Sequence, residues 1–235
     1  MHRPPYRWLP LNATLASSAV CLLAGACGDD GAEPEDMTDG SVRAELPYAS
    51  EVVSFELGTS GGYGMNKLPG VVLGPPKGGG TSAGSLDVLS LGISGEIVLG
   101  FGEREISDGP GPDLIVFENA FWANGDPDAA FTEPGEVAVS ADGETWHTFA
   151  CDPDAAIEEA GCAGLHPVLK YDAAKMLELD PDETGGDAFD LAAIDLPAAR
   201  YVRIRDLSDD GEGTSAGFDL DAVGVVNYSL SYRSR

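Results

Sequence analysis

The chain has 235 residues, with 40 Asp and Glu against 13 Lys and Arg, for a formal net charge of −27 at pH 7. A surface this acidic repels nucleic-acid phosphates and anionic head groups, so nucleic acid is set aside as a partner. Gly 31 and Pro 16 imply many turns, and therefore short elements.

Residues 1–26 read as an address. His2, Arg3 and Arg7 precede a mostly apolar run from Leu15 to Ala26, with no carboxylate, the pattern of a secretory signal peptide. The run is short for a bilayer span. It ends Leu23-Ala24-Gly25-Ala26-Cys27, which resembles a bacterial lipobox. That resemblance implies cleavage before Cys27 and lipidation of Cys27, with ordinary signal cleavage as the alternative. Gly28 in place of Asp after the cysteine implies the outer membrane and cell surface over inner-membrane retention. Residues 27–43 then form a tether: Asp29, Asp30, Glu33, Glu35, Asp36 and Asp39 are interleaved with Gly and Pro. Such a segment buries too little apolar surface to offset its ordering entropy.

Residues 44–235 are expected to form one domain. Its apolar runs are short: Val52–Leu57, Val71–Leu73, Val88–Leu91, Glu96–Phe101, Leu114–Phe117, Val137–Val139, Trp146–Phe149, Tyr201–Ile204 and Leu220–Val226. Regular short runs between turn signals predict an all-β fold, an antiparallel β-sandwich or jelly roll with elaborated loops. At most one short helix is expected, over Tyr171–Leu179. The clearest local signal is Glu136–Cys151, two strand-like runs separated by Asp142-Gly143, which predicts a hairpin. Arg200–Arg205 is the expected partner strand. Cys151 and Cys162 flank an acidic loop and are expected to pair as a disulfide. Two zinc ligands are the alternative, but only His147 and His166 lie beyond the signal, and neither is at ligand spacing.

The hairpin Ser140-Ala-Asp-Gly-Glu-Thr-Trp146 and the later Arg200-Tyr-Val-Arg-Ile204 resemble discoidin-like domains, also called coagulation-factor type C domains. The resemblance implies a β-sandwich of the galactose-binding type. Gly111–Phe121, Gly185–Ala192 and Val71–Gly78 resemble segments of a bacterial cell-surface lipoprotein family, which implies location more than activity.

Three oxygen-rich clusters are the candidate sites. Asp108 and Asp113 bracket a Gly/Pro turn, and the following strand leads to Glu118 and Asn119; such groups on a stiff turn suit a hard cation such as calcium. They equally suit turn chemistry. Asn124-Gly-Asp126-Pro-Asp128 lies beside Phe121, Trp122 and Phe131, without the frame of an EF-hand loop. Phe121 and Trp122 read either as a sugar-stacking face, with Asn124 and Asp126 fixing hydroxyls, or as the closing end of the core. Asp219 and Asp221 lie two apart and are expected on one strand face, toward solvent or a structural ion. Phe218–Val223 looks like the closing strand of galactose-binding-type modules, which implies Asp219 or Asp221 as ligands of a structural calcium.

No nucleophile elbow or phosphate-binding loop is present: Gly79–Gly84 contains a serine without the required frame. No enzyme activity is expected. The sequence instead predicts a lipid-anchored surface module that binds carbohydrate through Tyr63, Phe121 and Trp122. The alternatives are a structural or protein-interaction lipoprotein without a sugar site and, behind it, a polysaccharide-active enzyme.

Overall fold

The computed structural model describes residues 46–169, 179–209 and 215–231. The signal sequence, Cys27 and the tether lie outside the described residues, as does the predicted helix apart from Leu179.

The Glu136–Cys151 hairpin forms as the sequence predicts, and a larger sheet grows from it. Strand β8 (Gly135–Ser140) pairs antiparallel with β9 (His147–Thr148), placing Val139 opposite His147. The turn is made by its own side chains. Asp142 Oδ1 accepts from the Glu144 and Thr145 amides at 2.8 Å, and Ser140 Oγ accepts from Gly143 N at 2.9 Å. Those amide donors hold the Asp142 carboxyl down at about 2. Gly143 has φ 79°, where any side chain is strained.

The other edge of β8 takes β12 (Tyr201–Asp206), with Val202 opposite Val139 and Ile204 opposite Val137. Strand β12 then pairs with β3 (Glu96–Gly100), and β3 with the edge strand β1 (Glu51–Glu56), giving a five-stranded antiparallel sheet. Trp146 lies on its outer side, where the Arg203 guanidinium sits 4.7 Å above the indole ring.

The facing layer centres on β5 (Leu114–Phe117), between β10 (Asp187–Phe189) and β14 (Ala222–Val225). Strand periodicity explains why β5 is apolar at every position. Leu114 and Val116 join Ile97, Leu99, Val137, Val139, Val202 and Ile204 in the main core. Ile115 and Phe117 point the other way and pack with Leu46, Tyr48, Val168 and Ala222. The architecture is thus an all-β antiparallel sandwich.

Three smaller sheets complete it. Strands β11 (Ala198–Ala199) and β15 (Tyr228–Leu230) flank β4 (Arg104–Ser107), β2 (Leu89–Ser90) pairs with β13 (Asp219–Leu220), and β6 (Phe121–Trp122) pairs with β7 (Ala130–Phe131).

Two details differ from expectation. Val71–Leu73 is a turn, although Val71 and Val72 are buried in the core. Gly74 at φ 86° and the donor-less Pro75-Pro76 end any ladder there. Two single-turn helices are described, α1 (Ile157–Ala160) and α2 (Pro181–Thr184), where the sequence predicts at most one helix elsewhere. Four residues are too few to show helical periodicity. Helix α1 lies inside the loop closed by the Cys151–Cys162 disulfide, which forms as expected.

Candidate functional site

A pocket of about 750 Å³ opens where the disulfide loop, α2 and the β6–β7 hairpin meet. Phe149 and Phe189, tilted against each other with ring centroids 5.0 Å apart, contribute to its lining along with Ile157, Leu165 and Ile194. Trp122 supplies a further aromatic wall, and Glu158, Asp182 and Asp190 supply carboxylates. A mostly apolar cleft with a few polar groups, within roughly 300–1,000 Å³, is the usual form of a small-molecule site.

The pocket's polar centre is a pair that sequence reasoning left apart. Asp187, on β10, is buried and accepts from the amides of Gly164 at 2.8 Å and Leu165 at 3.0 Å. Its other oxygen lies 2.7 Å from His166 Nδ1. Gly164, at φ 84°, lets the loop wrap around the carboxylate, and its α-carbon faces the Glu133 carbonyl too closely for a side chain. The Asp187 hydrogen bond raises the His166 pKa above its ordinary value, with burial opposing. No serine, threonine or free thiol is among the described residues lining this pocket, so the His–Asp pair has no side-chain nucleophile beside it there.

The hairpin gathers four of the five predicted ligand residues. Phe121 stacks on Phe131, centroids 5.2 Å apart, and Trp122 donates its backbone N–H to Thr81 O at 2.7 Å. Asn124 takes the left-handed conformation (φ 57°) in the turn Ala123–Gly125, and Asp126 caps the next turn through Asp128 N at 3.1 Å. Of these four, Trp122 reaches the pocket lining. Tyr63 is separate: its hydroxyl donates to Leu86 O at 3.2 Å.

The predicted cation ligands fall into three places. Asp113 is fully buried, and its carboxylate accepts from Gly109 N (2.9 Å), Asn227 Nδ2 (2.9 Å) and Leu191 N (2.8 Å), tying a turn to two distant segments. Oxygens of Asp108, Asp113 and Asp190 lie within 4.8 Å of one another. Asp190 was not visible as a member from its sequence position.

Asp219 and Asp221 are both buried rather than on a solvent face. Strand β13 ends at Leu220 and β14 starts at Ala222, so the two carboxylates do not share one strand face. Asp221 accepts from Lys77 N at 3.0 Å through both oxygens, and burial pushes its carboxyl up to about 7.

Asp219 instead meets Glu118. Its amide donates to Glu118 Oε1 at 3.2 Å, and its carboxylate accepts from Ser90 Oγ and, at 3.2 Å, Asn119 Nδ2. Burial raises both carboxyls. Glu133 is pushed up to about 8, first by burial and then by repulsion from Asp219 and Asp206. Glu133 was missed in the sequence because nothing local marks it.

No protein-family model matches this chain, and no curated protein matches it.

Proposed function

We propose that this chain is an exported, lipid-anchored surface module that binds carbohydrate in the Trp122 pocket, without chemical conversion of the ligand. The observation that carries the reading is one aromatic wall, Trp122, at a mostly apolar pocket of about 750 Å³ edged by Glu158, Asp182, Asp190 and the His166–Asp187 pair. Sugars present an apolar ring face and a rim of hydroxyls. An indole covers the first, and carboxylate and imidazole acceptors orient the second. The signal-like start, the Cys27 lipobox resemblance and the disulfide support export. The discoidin-like resemblance of the β8–β9 hairpin and β12 supports the ligand class.

A glycan array probed with the full exported chain tests it, followed by titration calorimetry on any hit. Trp122→Ala is expected to weaken binding by about 1–3 kcal/mol, the scale of one buried aromatic contact. A hit unaffected by this substitution, or an array without hits, would refute the pocket reading. Release of a shortened oligosaccharide on incubation would favour the polysaccharide-active alternative. Membrane fractionation of Cys27→Ser tests the anchor: retention in the membrane fraction would count against lipidation there.

A second reading has one observation in its favour. Edge strand β1 exposes Val53 (51%) and Phe55 (45%). An exposed apolar edge favours a protein-interaction module.

A further inference from the structure

The pocket beside Trp122 is lined by side chains that accept hydrogen bonds and scarcely donate them. Its polar side chains are the carboxylates of Glu158, Asp182, Asp187 and Asp190, the His166 imidazole and the Trp122 indole. Ionised carboxylates only accept. Asp187 Oδ1 engages His166 Nδ1 at 2.7 Å, so that nitrogen carries the proton and Nε2 is the acceptor of the neutral ring. Among the described residues that line the pocket there is no Lys, Arg, Ser, Thr, Asn, Gln or Tyr. With His166 neutral, the indole N–H is the one side-chain donor these residues offer a ligand.

The same side chains carry charge without an equal counter-charge. Four carboxylates and one imidazole leave the described lining at −4, or −3 with His166 protonated. Cations elsewhere in the fold are matched: Lys67 and Lys77 both reach Asp87, Arg200 reaches Glu105 at 3.3 Å, and Arg203 reaches Glu96 at 3.7 Å. Glu158 and Asp182 are exposed, and neither carboxylate accepts a hydrogen bond or forms an ion pair with a described residue. Asp190 gives one oxygen to Ala192 N at 2.9 Å and keeps the other unbonded.

We propose that the Trp122 pocket takes a cationic sugar, a hexosamine whose amine is free and protonated. This rests on the carbohydrate reading of the pocket and narrows it to one class. An ammonium group donates and does not accept, which complements an acceptor-rich lining. The indole face attracts a cation as well as an apolar ring face, and the chain's net charge of −27 draws cations toward its surface. Other sugar classes fit less well. Uronates and sulfated sugars would meet carboxylates with no lining Lys or Arg to offset the repulsion. An N-acetyl group removes the charge and brings a carbonyl that needs a donor.

Titration calorimetry of the full chain with short oligomers of glucosamine, of N-acetylglucosamine and of glucose tests the class. The glucosamine oligomer is expected to bind about tenfold more tightly than the other two, with an advantage that shrinks as salt is raised. Glu158→Gln and Asp182→Asn change exposed side chains without protein partners, and each is expected to cut that advantage about threefold. Glu56→Gln, on the exposed edge strand β1, is expected to leave it unchanged. Equal or tighter binding of the two neutral oligomers overturns the cationic class and leaves the carbohydrate reading standing. Binding by none of the three overturns both. An advantage that survives Glu158→Gln and Asp182→Asn combined, or that falls equally in Glu56→Gln, overturns the pocket as the source of selectivity. A lysine oligomer of equal charge that binds as tightly overturns the sugar identity in favour of a basic peptide.

Discussion

Asp113→Ala separates a structural carboxylate from an ion ligand. The native carboxylate accepts three hydrogen bonds, from Gly109 N, Asn227 Nδ2 and Leu191 N, at a residue with no solvent exposure. Removing it strands those donors. The Gly109 and Leu191 amides cost about 1–3 kcal/mol each when left unsatisfied, while Asn227 retains Pro112 O as a partner at 3.1 Å. The sum is a loss of about 2–6 kcal/mol, a large share of the roughly 5–15 kcal/mol expected of a domain. Asp113→Asn keeps one acceptor oxygen but turns an amide donor toward existing donors, for a loss of about 2–3 kcal/mol. Urea unfolding followed by intrinsic fluorescence, in EDTA, measures both as a fall in midpoint at constant slope. If Asp113→Ala lies within about 0.5 kcal/mol of the parent, the three-donor argument is wrong. If the variant is destabilised only in calcium, Asp113 is an ion ligand.

Other expectations follow from the same packing. Replacing Cys151 and Cys162 together by Ala is expected to lower stability by roughly 3 kcal/mol through the lost loop constraint, again read by urea unfolding. An equal midpoint for the reduced and oxidised parent would contradict it. Gly135→Ala places a methyl 2.5 Å from the Phe218 ring, itself fully buried, so a loss of about 1–3 kcal/mol is expected; a neutral result would mean that the ring has room to move. The His166–Asp187 pair makes stability depend on pH. Its folded pKa is raised above the ordinary 6.5, so the native state binds the proton more tightly. The contribution is full below the unfolded pKa and is lost as pH rises through the folded value. Melting temperature should therefore decline as pH rises past the ordinary 6.5 in the parent and decline less in His166→Gln, and equal slopes would refute the assignment. Asp142 works in the opposite direction: its contribution is present above the ordinary carboxylate value and is lost as pH falls through about 2.

What the sequence determined was local. Asp142-Gly143 between two alternating runs specifies a hairpin because the turn's hydrogen bonds come from Ser140 and Asp142 themselves. The β-branched run at Tyr201–Ile204 pairs where the hairpin's apolar face requires a partner. The cysteine pair was legible for the same reason: its members are 11 residues apart. Only tertiary structure decided the rest. Val71 and Val72 look like a strand but fill the core from a turn, since burial does not require a ladder. His166 meets Asp187 across 21 residues, and Glu118 meets Asp219 across 101. Asp219 and Asp221 seemed to share a face only while one strand was assumed to hold both. A carboxylate's partners are fixed by which sheets pack together, and a chain with 40 acidic residues carries no local mark that distinguishes a buried one.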